Sequence, residues 1–301
     1  MIRRTACRFL IGALLHLAVV CASASVQKIG PDLYAYISEN DSSANSTFLV
    51  SDRGILLVDT GLNAQEGQKL LNEIRKISAA PVRWIVNTHY HPDHRGGNSV
   101  VGPDAVIIST YETRAAVLRS RNDPDVKNKR KAPPEYQLNE TFTGSRGLTL
   151  FVGEHEVRIY YPGPAHTRGD AIVYFPYEYV VATGDLFLTN SCPAMDDGDM
   201  ENWIVALDQI LALPLDHVVP GHFELATKSE LQRFRNYLGD LRDQVARMHH
   251  KGIPLDQVQK QLDLHAYKDF RQYPQYEATF KDNAATYYGQ LEHPKPQSNM
   301  R

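Results

Sequence analysis

The sequence predicts a layered α/β protein, with helices between and outside the strands. Short apolar runs bounded by polar turns recur along the chain and are typical of strands. Segments with apolar residues at helical intervals alternate with these runs, and both kinds of segment occur in both halves of the 301 residues. The chain is long enough to bury the core of one large domain or of two.

The first predicted elements lie close to the N-terminus. Residues 46–61, STFLVSDRGILLVDTG, are typical of a β-hairpin with a polar turn, and Asp59 ends its second strand. Asn63 precedes Glu66 by three residues, which is the spacing of a helix-capping box. Apolar residues then recur at helical intervals, and the strand VRWIVNT at 82–88 follows this helix.

The alternation continues toward the C-terminus. Helices are predicted at 110–121 and 201–213, and a third begins at the capping box formed by Thr227 and Glu230. The tail from about 254 to 291 is predicted to be helical, and we expect its Tyr and Phe side chains to pack the last helices. Strands are predicted at 105–109, 148–152, 155–161, 171–175, 178–182 and 216–219.

Residues 1–24 predict a secretory signal peptide. Three arginines precede the apolar run at 9–20, and small residues at 22–24 precede the expected cleavage point. A membrane anchor is the alternative, but a spanning helix needs roughly twenty apolar residues. Lipoprotein processing at Cys21 is disfavoured because a bulky valine precedes it. We therefore expect a periplasmic or secreted protein without stable membrane insertion.

Charge and cysteine content exclude two classes of protein. Loss of residues 1–24 removes three arginines and no acidic residue, which takes the formal net charge from −3 to −6. No basic stripe is present, so a nucleic-acid partner is not expected. Cys192 is the one cysteine outside the signal peptide, so the processed chain has no intramolecular disulfide. We expect Cys192 to be a small buried or loop residue.

The densest group of metal-ligand residue types is NTHYHPDHRGGN, residues 87–98. His89 and His91 follow a strand, and because strand side chains alternate with period two, their imidazoles can share one ion. Asp93 and His94 lie where the chain turns and can hold a second ion. A histidine-rich polar turn is the alternative, but four such residues within six positions favour a metal site.

Four ligand residues are too few to coordinate two ions, so the chain must supply further ligands. Three later segments beside apolar strands contain them: PGPAHT with His166, VVATGDLF with Asp185, and VVPGHF with His222. Each histidine taken alone would be an ordinary loop residue. The three segments together with H-x-H-x-D-H favour metal binding. The polar segment 121–135 is predicted to be a surface loop that can cover this site.

This ordered set, with Asp59 upstream, resembles the metallo-β-lactamase superfamily of hydrolases. The resemblance extends from about Val26 to His222 and rests on five separate motifs in chain order. It implies an αββα sandwich, in which two mixed β-sheets pack together with helices outside and the site lies at one edge. It also implies a catalytic domain at 25–230, with a C-terminal helical extension at 231–301 packed on the same domain.

The resemblance implies a bridged dinuclear site. Histidine at position 91 favours two Zn²⁺, because the di-iron branch carries a carboxylate there, and manganese or iron is left open. Asp93 is expected to orient the nucleophile and to pass a proton to the leaving group. The first ion would be held by His89, His91 and His166, the second by Asp93, His94 and His222, and Asp185 would bridge both.

Two further aspartates are expected just outside the ligands. The resemblance implies that Asp59 braces the histidine loop, and the alternative is an ordinary turn aspartate that caps its own backbone. Asp170 either hydrogen-bonds a ligand imidazole or caps its own backbone turn.

We therefore expect an exported dinuclear zinc hydrolase that attacks a small ester, thioester, lactone or amide with a metal-bound hydroxide. A β-lactamase is the alternative enzyme, although Asp185 and Leu188 stand where the best-known zinc β-lactamases carry cysteine and a substrate-binding lysine. A non-catalytic metal- or partner-binding protein is the alternative from another class. A small-molecule substrate is expected, and the sequence makes no prediction of oligomeric state.

Overall fold

The computed structural model describes residues 24–122, 140–142 and 147–294. Two mixed β-sheets form its centre. In the first sheet the strands lie in chain order, with antiparallel pairing up to the fourth strand and parallel pairing beyond it. They are β1 (Ser25–Lys28), β2 (Leu33–Ile37), β3 (Ser46–Ser51), β4 (Gly54–Val58), β5 (Val82–Val86), β6 (Val106–Thr110) and β7 (Glu140–Phe142).

The second sheet contains five strands that also lie in chain order. Its pairings are antiparallel except for the last, which is parallel. The strands are β8 (Leu148–Val152), β9 (His155–Tyr160), β10 (Ile172–Phe175), β11 (Val180–Ala182) and β12 (His217–Val219).

Helices cover the outer faces of both sheets. Those on the first sheet are α1 (Ala64–Ile77), α2 (Pro92–Arg95), α3 (Asn98–Val101) and α4 (Tyr111–Asn122). Those beside the second sheet are α5 (Met200–Leu211), α6 (Lys228–His250), α7 (Leu255–Gln261) and α8 (Phe280–Glu292). Within the described ranges, no helix combines the length and the apolar character that crossing a bilayer demands.

Three apolar clusters hold these layers together. The central cluster joins the facing sides of the sheets, with Leu56 and Val86 from the first and Val173 and Val180 from the second. A second cluster packs the first sheet against α1, and a third packs the second sheet against α5 to α8. The predicted αββα sandwich is therefore confirmed. The predicted domain boundary at residue 230 falls inside α6, which packs on the same apolar cluster as α5.

Most predicted elements are found within a few residues of their expected bounds, but the tail predicted to be helical at 254–291 is α-helical only in α7 and α8. The Asn63 side chain caps α1, and both halves of the capping box at Thr227 and Glu230 are formed. Cys192 is buried, as expected. Strands β1, β2 and β7 and the short helices α2 and α3 were not predicted. In β2 neighbouring residues Ala35 and Tyr36 are both buried, so the alternation of a half-buried strand is absent.

Two predicted segments lie outside the described residues. They are the signal peptide, apart from its last residue, and the part of the predicted surface loop 121–135 beyond Asn122.

His155 in β9 contacts one carboxylate from each sheet region. The Nδ1 atom of His155 lies 2.9 Å from Oε1 of Glu178, whose side chain is only 2% exposed. The other ring nitrogen lies 3.5 Å from a carboxylate oxygen of Asp32, in the turn between β1 and β2. A buried acceptor without a partner costs about 1–3 kcal/mol, so this imidazole stabilises the fold by partnering Glu178.

We expect His155→Ala to lower the free energy of unfolding by about 1–3 kcal/mol, because Glu178 then loses its partner. Urea denaturation of the variant and the parent protein measures this change. The double variant His155→Ala/Glu178→Gln is the control, since a neutral amide costs less to bury, and it should recover part of the loss. A single variant as stable as the parent protein would contradict the assignment.

Candidate metal centre

The sandwich brings the predicted ligands together at one edge. Strands β4 and β5 of the first sheet end at Val58 and Val86, immediately before Asp59 and the histidine motif. Strands β11 and β12 of the second sheet end just before Asp185 and His222, and the loop that contains His166 leads into β10. Because β11 and β12 are parallel, their carboxyl ends meet at the same edge. Residues far apart in sequence therefore converge there.

Four of the predicted ligands form what we call the first cluster: His89, His91, His166 and Asp185. The Nδ1 atom of His91 lies 2.9 Å from Nε2 of His89 and 3.2 Å from Nε2 of His166. A carboxylate oxygen of Asp185, Oδ2, lies 3.5 Å from Nε2 of His166. Two imidazole nitrogens that share a tetrahedral Zn²⁺ are about 3.3 Å apart, so this spacing fits one ion.

The second cluster consists of Asp93, His94, His222 and, again, Asp185. Oδ1 of Asp185 lies 3.2 Å from Nε2 of His94 and 3.5 Å from Nε2 of His222. Oδ2 of Asp93 lies 3.1 Å from the same His222 nitrogen. The two oxygens of Asp185 thus face different clusters, which is the arrangement a bridging carboxylate requires.

Unpartnered buried atoms show that the clusters fit a cation. Nε2 of His94 and Oδ1 of Asp185 are buried, and within the described ranges neither has a partner in hydrogen-bond geometry. Such atoms are costly to bury, and a positive ion between them would satisfy both. Nitrogen and carboxylate oxygen are also the donors that zinc sites use. The two clusters therefore fit a dinuclear metal site.

Asp59 contacts the loop that contains the histidines. Its Oδ2 lies 2.7 Å from Nδ1 of His94 and accepts a hydrogen bond of 2.7 Å from the Thr88 hydroxyl. Its Oδ1 accepts the Thr88 backbone N–H at 2.9 Å. A carboxylate at Nδ1 fixes the proton there and leaves Nε2 free to face a metal. Asp59 thus contacts the histidine loop at both Thr88 and His94.

Asp170 contacts backbone rather than imidazole. Its carboxylate accepts hydrogen bonds from the backbone N–H groups of Ala165 and Thr167 and from the Thr167 hydroxyl. Of the two expectations for this residue, these contacts match the cap on its own turn. Burial raises the pKa of Asp170 to about 7. The carboxylate shapes the loop on both sides of His166.

Asp197 was not predicted and lies beside the first cluster. Its Oδ2 is 3.9 Å from Nε2 of His91, the nitrogen that faces away from the cluster, and the Tyr90 hydroxyl donates to the same oxygen. The sequence around it, DDGD, is an ordinary acidic loop between β11 and α5. No local pattern distinguishes Asp197 from its neighbours, because its role depends on how this loop packs.

Imidazoles of the two clusters differ in how readily they take up a proton. Burial opposes protonation of His94 and His222, but the carboxylate of Asp185 and neighbouring acids outweigh it and raise the pKa of both. Burial and the neighbouring imidazoles hold the pKa of His89 well below its ordinary value, and burial lowers that of His166 to about 4. His94 and His222 are therefore protonated more readily than His89 and His166.

Comparison with known proteins agrees with this site. Residues 40–222 match the metallo-β-lactamase superfamily. The chain therefore belongs to this superfamily, and the family predicted from the ligand motifs is confirmed. A solved structure of a metallo-β-lactamase from Pontibacter korlensis shares the fold, with a TM-score of 0.59 and 23% identity over 72% of this chain and 99% of the other.

Characterised relatives are distant and diverse. The chain is 28% identical to the α subunit of a 2,4-dinitroanisole O-demethylase from Nocardioides sp. (strain JS1661), over 60% of this chain and 53% of the relative. It is 24% identical to a linear primary-alkylsulfatase from Pseudomonas sp. (strain ATCC 19151), over 80% of this chain and 52% of the relative. It thus spans about half the length of these two. A type 2 metallo-β-lactamase from Elizabethkingia meningoseptica is 24% identical, over 69% of this chain and 82% of the relative.

Proton release should distinguish the two clusters. Imidazole binds metal only when neutral, so an ion entering the second cluster must displace protons from His94 and His222, whose pKa values are raised. As the pH decreases, we expect the metal affinity of the second cluster to fall more steeply than that of the first cluster. Calorimetric titration of metal-free protein, in buffers that differ in ionisation enthalpy, counts the protons. Release of equal numbers of protons on binding the first and the second equivalent of metal would contradict this difference between the clusters.

Asp59→Asn tests the brace on His94. An amide keeps the size of the side chain but removes the charge that fixes the imidazole proton, so metal affinity should fall about 10- to 100-fold. Competition with a chromophoric chelator measures the dissociation constants. Asp104→Asn, at an exposed turn, is the matched control. Unchanged affinity in Asp59→Asn would show that the contact does not orient the ligand.

Proposed function

We propose that the protein is an exported dinuclear zinc hydrolase that acts on a small ester, thioester, lactone or amide. The single observation that supports it best is the buried carboxylate of Asp185, whose oxygens face two clusters of metal-ligand residues. His89, His91 and His166 would hold one ion, and Asp93, His94 and His222 the other. Two such ions supply an activated water and polarise the bond to be cleaved.

The donor set favours zinc. Five imidazoles and two carboxylates form the clusters, and imidazole is a preferred ligand of zinc, whereas magnesium and calcium prefer oxygen. Manganese and iron accept similar donors. Metal analysis of protein purified from its natural host addresses the identity directly.

Asp93 is the residue that we assign to proton transfer. Its side chain is 23% exposed, whereas those of His94, His222 and Asp185 are at most 10% exposed, so it is more accessible from solvent. Burial opposes its charge, but His94 and His222 hold the pKa of Asp93 below its ordinary value. A carboxylate in this position can orient an attacking water, accept its proton and deliver that proton to the leaving group.

A cavity beside the first cluster supports a small substrate. It has a volume of about 210 Å³, and Tyr90 and Asp197 line the side nearest His91. Arg119 and Arg168 contribute to other parts of its wall. This volume is below the roughly 300–1,000 Å³ of typical ligand pockets, so the cavity suits at most a small molecule.

β-Lactam hydrolysis is the competing proposal. Its support is that the Elizabethkingia and Pontibacter proteins are named metallo-β-lactamases. The Pontibacter protein is only 23% identical, so its likeness supports the fold alone. Asp185 and Leu188 also replace the cysteine and lysine expected for the best-known zinc β-lactamases. A small ester, thioester, lactone or amide other than a β-lactam therefore remains the preferred substrate class.

Turnover of a substrate panel by the zinc-loaded protein tests the proposal. We expect hydrolysis of thioesters and lactones, and at least a 100-fold loss of kcat/KM in Asp93→Ala and Asp185→Ala because each removes a ligand and, for Asp93, the proton carrier. Asp104→Ala is the control and should retain full activity, since this aspartate is exposed at a turn.

Other outcomes of the panel identify the competing functions. Turnover of penicillins or carbapenems far above that of simple esters would assign a β-lactamase. Two bound metal ions without hydrolysis of any substrate would favour a non-catalytic binding role. Export is tested separately by N-terminal sequencing of the protein secreted from its host, for which we expect Ser25 as the first residue.

A further inference from the structure

The loop that contains His222 is closely packed against Asp185. We call residues 220–224, which follow β12, the His222 loop. The N–H of Gly221 donates to the backbone oxygens of Gly184 and Phe187. A Cβ atom at Gly221 would lie 1.9 Å from Oδ1 of Asp185, so a side chain there is excluded. The position of this loop therefore determines how His222 and Asp185 face each other in the second cluster.

Phe223 holds an unfavourable backbone conformation in the same loop. Its φ of 72° lies in the left-handed region, which bulky residues rarely adopt. Such a conformation is strained and persists only where surrounding contacts hold it. Asn45 supplies one of these contacts, since its side-chain amide donates to the backbone oxygens of Phe223 and Pro220.

The other contacts come from the C-terminal part of the chain. The Arg271 guanidinium carbon lies 4.4 Å from the centre of the Phe223 ring, and the Tyr273 ring stacks on Phe223 with 5.9 Å between centres and 3° between planes. Arg271 also donates to the backbone oxygen of Thr189 at 3.0 Å and to the Glu224 carboxylate at 2.5 Å. Glu224 belongs to the His222 loop and Thr189 to the segment that follows Asp185. The Arg271 guanidinium therefore joins this loop to that segment.

The backbone of Arg271 is fixed independently of its side chain. Its N–H donates to the oxygen of Asn190, and its oxygen accepts the N–H of Cys192, each at 2.9 Å. The guanidinium therefore projects from a rigid point. A planar group that forms two directed hydrogen bonds and stacks on an aromatic ring is not replaced by a flexible ammonium.

We propose that Arg271 and Tyr273 are positioning residues for the second cluster: they hold Phe223 in its left-handed conformation and thereby orient His222 toward the metal. The C-terminal extension then contributes to metal affinity although it supplies no ligand. This inference rests on the dinuclear site of the proposed function. Residues that orient metal ligands typically change affinity by 10- to 100-fold, and here the change should be confined to one ion.

Titration of metal-free Arg271→Ala with Co²⁺, followed by visible absorption, tests the inference. We expect the first equivalent to bind as in the parent protein and the second to bind about 10- to 100-fold more weakly. Arg235→Ala is the matched control, because Arg235 forms a comparable two-bond ion pair with Asp208 between α5 and α6, away from the His222 loop. It should bind both equivalents normally.

Phe223→Gly separates positioning from backbone strain. Glycine adopts positive φ without penalty, so this variant relieves the strain but removes the ring on which Arg271 and Tyr273 act. We expect a weakened second equivalent here also, and a partial effect in Arg271→Lys. Normal binding of the second ion by both Phe223→Gly and Arg271→Ala would overturn the inference, as would equal weakening of both ions. A parent protein that binds fewer than two ions would instead overturn the dinuclear site itself.

Discussion

The shared carboxylate of Asp185 is the interaction on which the rest of the structure depends. It is buried between four imidazoles, those of His89, His94, His166 and His222. Burial raises the free energy of a carboxylate charge, but the surrounding histidines hold the pKa of Asp185 well below its ordinary value. A buried charge needs this compensation, and only the convergence of two sheets brings enough partners to one point.

The sandwich explains why the compensation is available at this edge. Asp59 and the histidine motif follow adjacent parallel strands of the first sheet, and Asp185 and His222 follow adjacent parallel strands of the second. The apolar cluster between the sheets fixes the distance between these strand ends. A change in sheet packing would therefore alter the spacing of both clusters, so core packing and metal-site geometry depend on each other.

Most of the secondary structure and the members of the clusters could be predicted from the sequence, because periodicity locates the elements and the ligand residues lie beside apolar strands. The sandwich and the assignment of ligands to two ions were what the resemblance to the superfamily implied. His89 and His91 lie in irregular chain beyond β5, so strand alternation does not account for their convergence. The contacts of Asp170 could not be predicted from local sequence, because an aspartate after a glycine gives no indication of which partner it contacts. Asp197 shows the same limit, because it reaches His91 only through the packing of an irregular loop.

The C-terminal aromatic residues show why a correct local prediction can miss a function. Tyr267, Phe270 and Tyr287 are buried with the last helices, as expected for a helical tail. Tyr273 has the same residue type and similar surroundings in sequence, yet its ring stacks on Phe223 beside a proposed metal ligand. Composition does not separate these roles, because the difference arises from a contact between positions fifty residues apart. An extension whose described residues supply none of the proposed ligands can therefore still contact the loop that carries one of them.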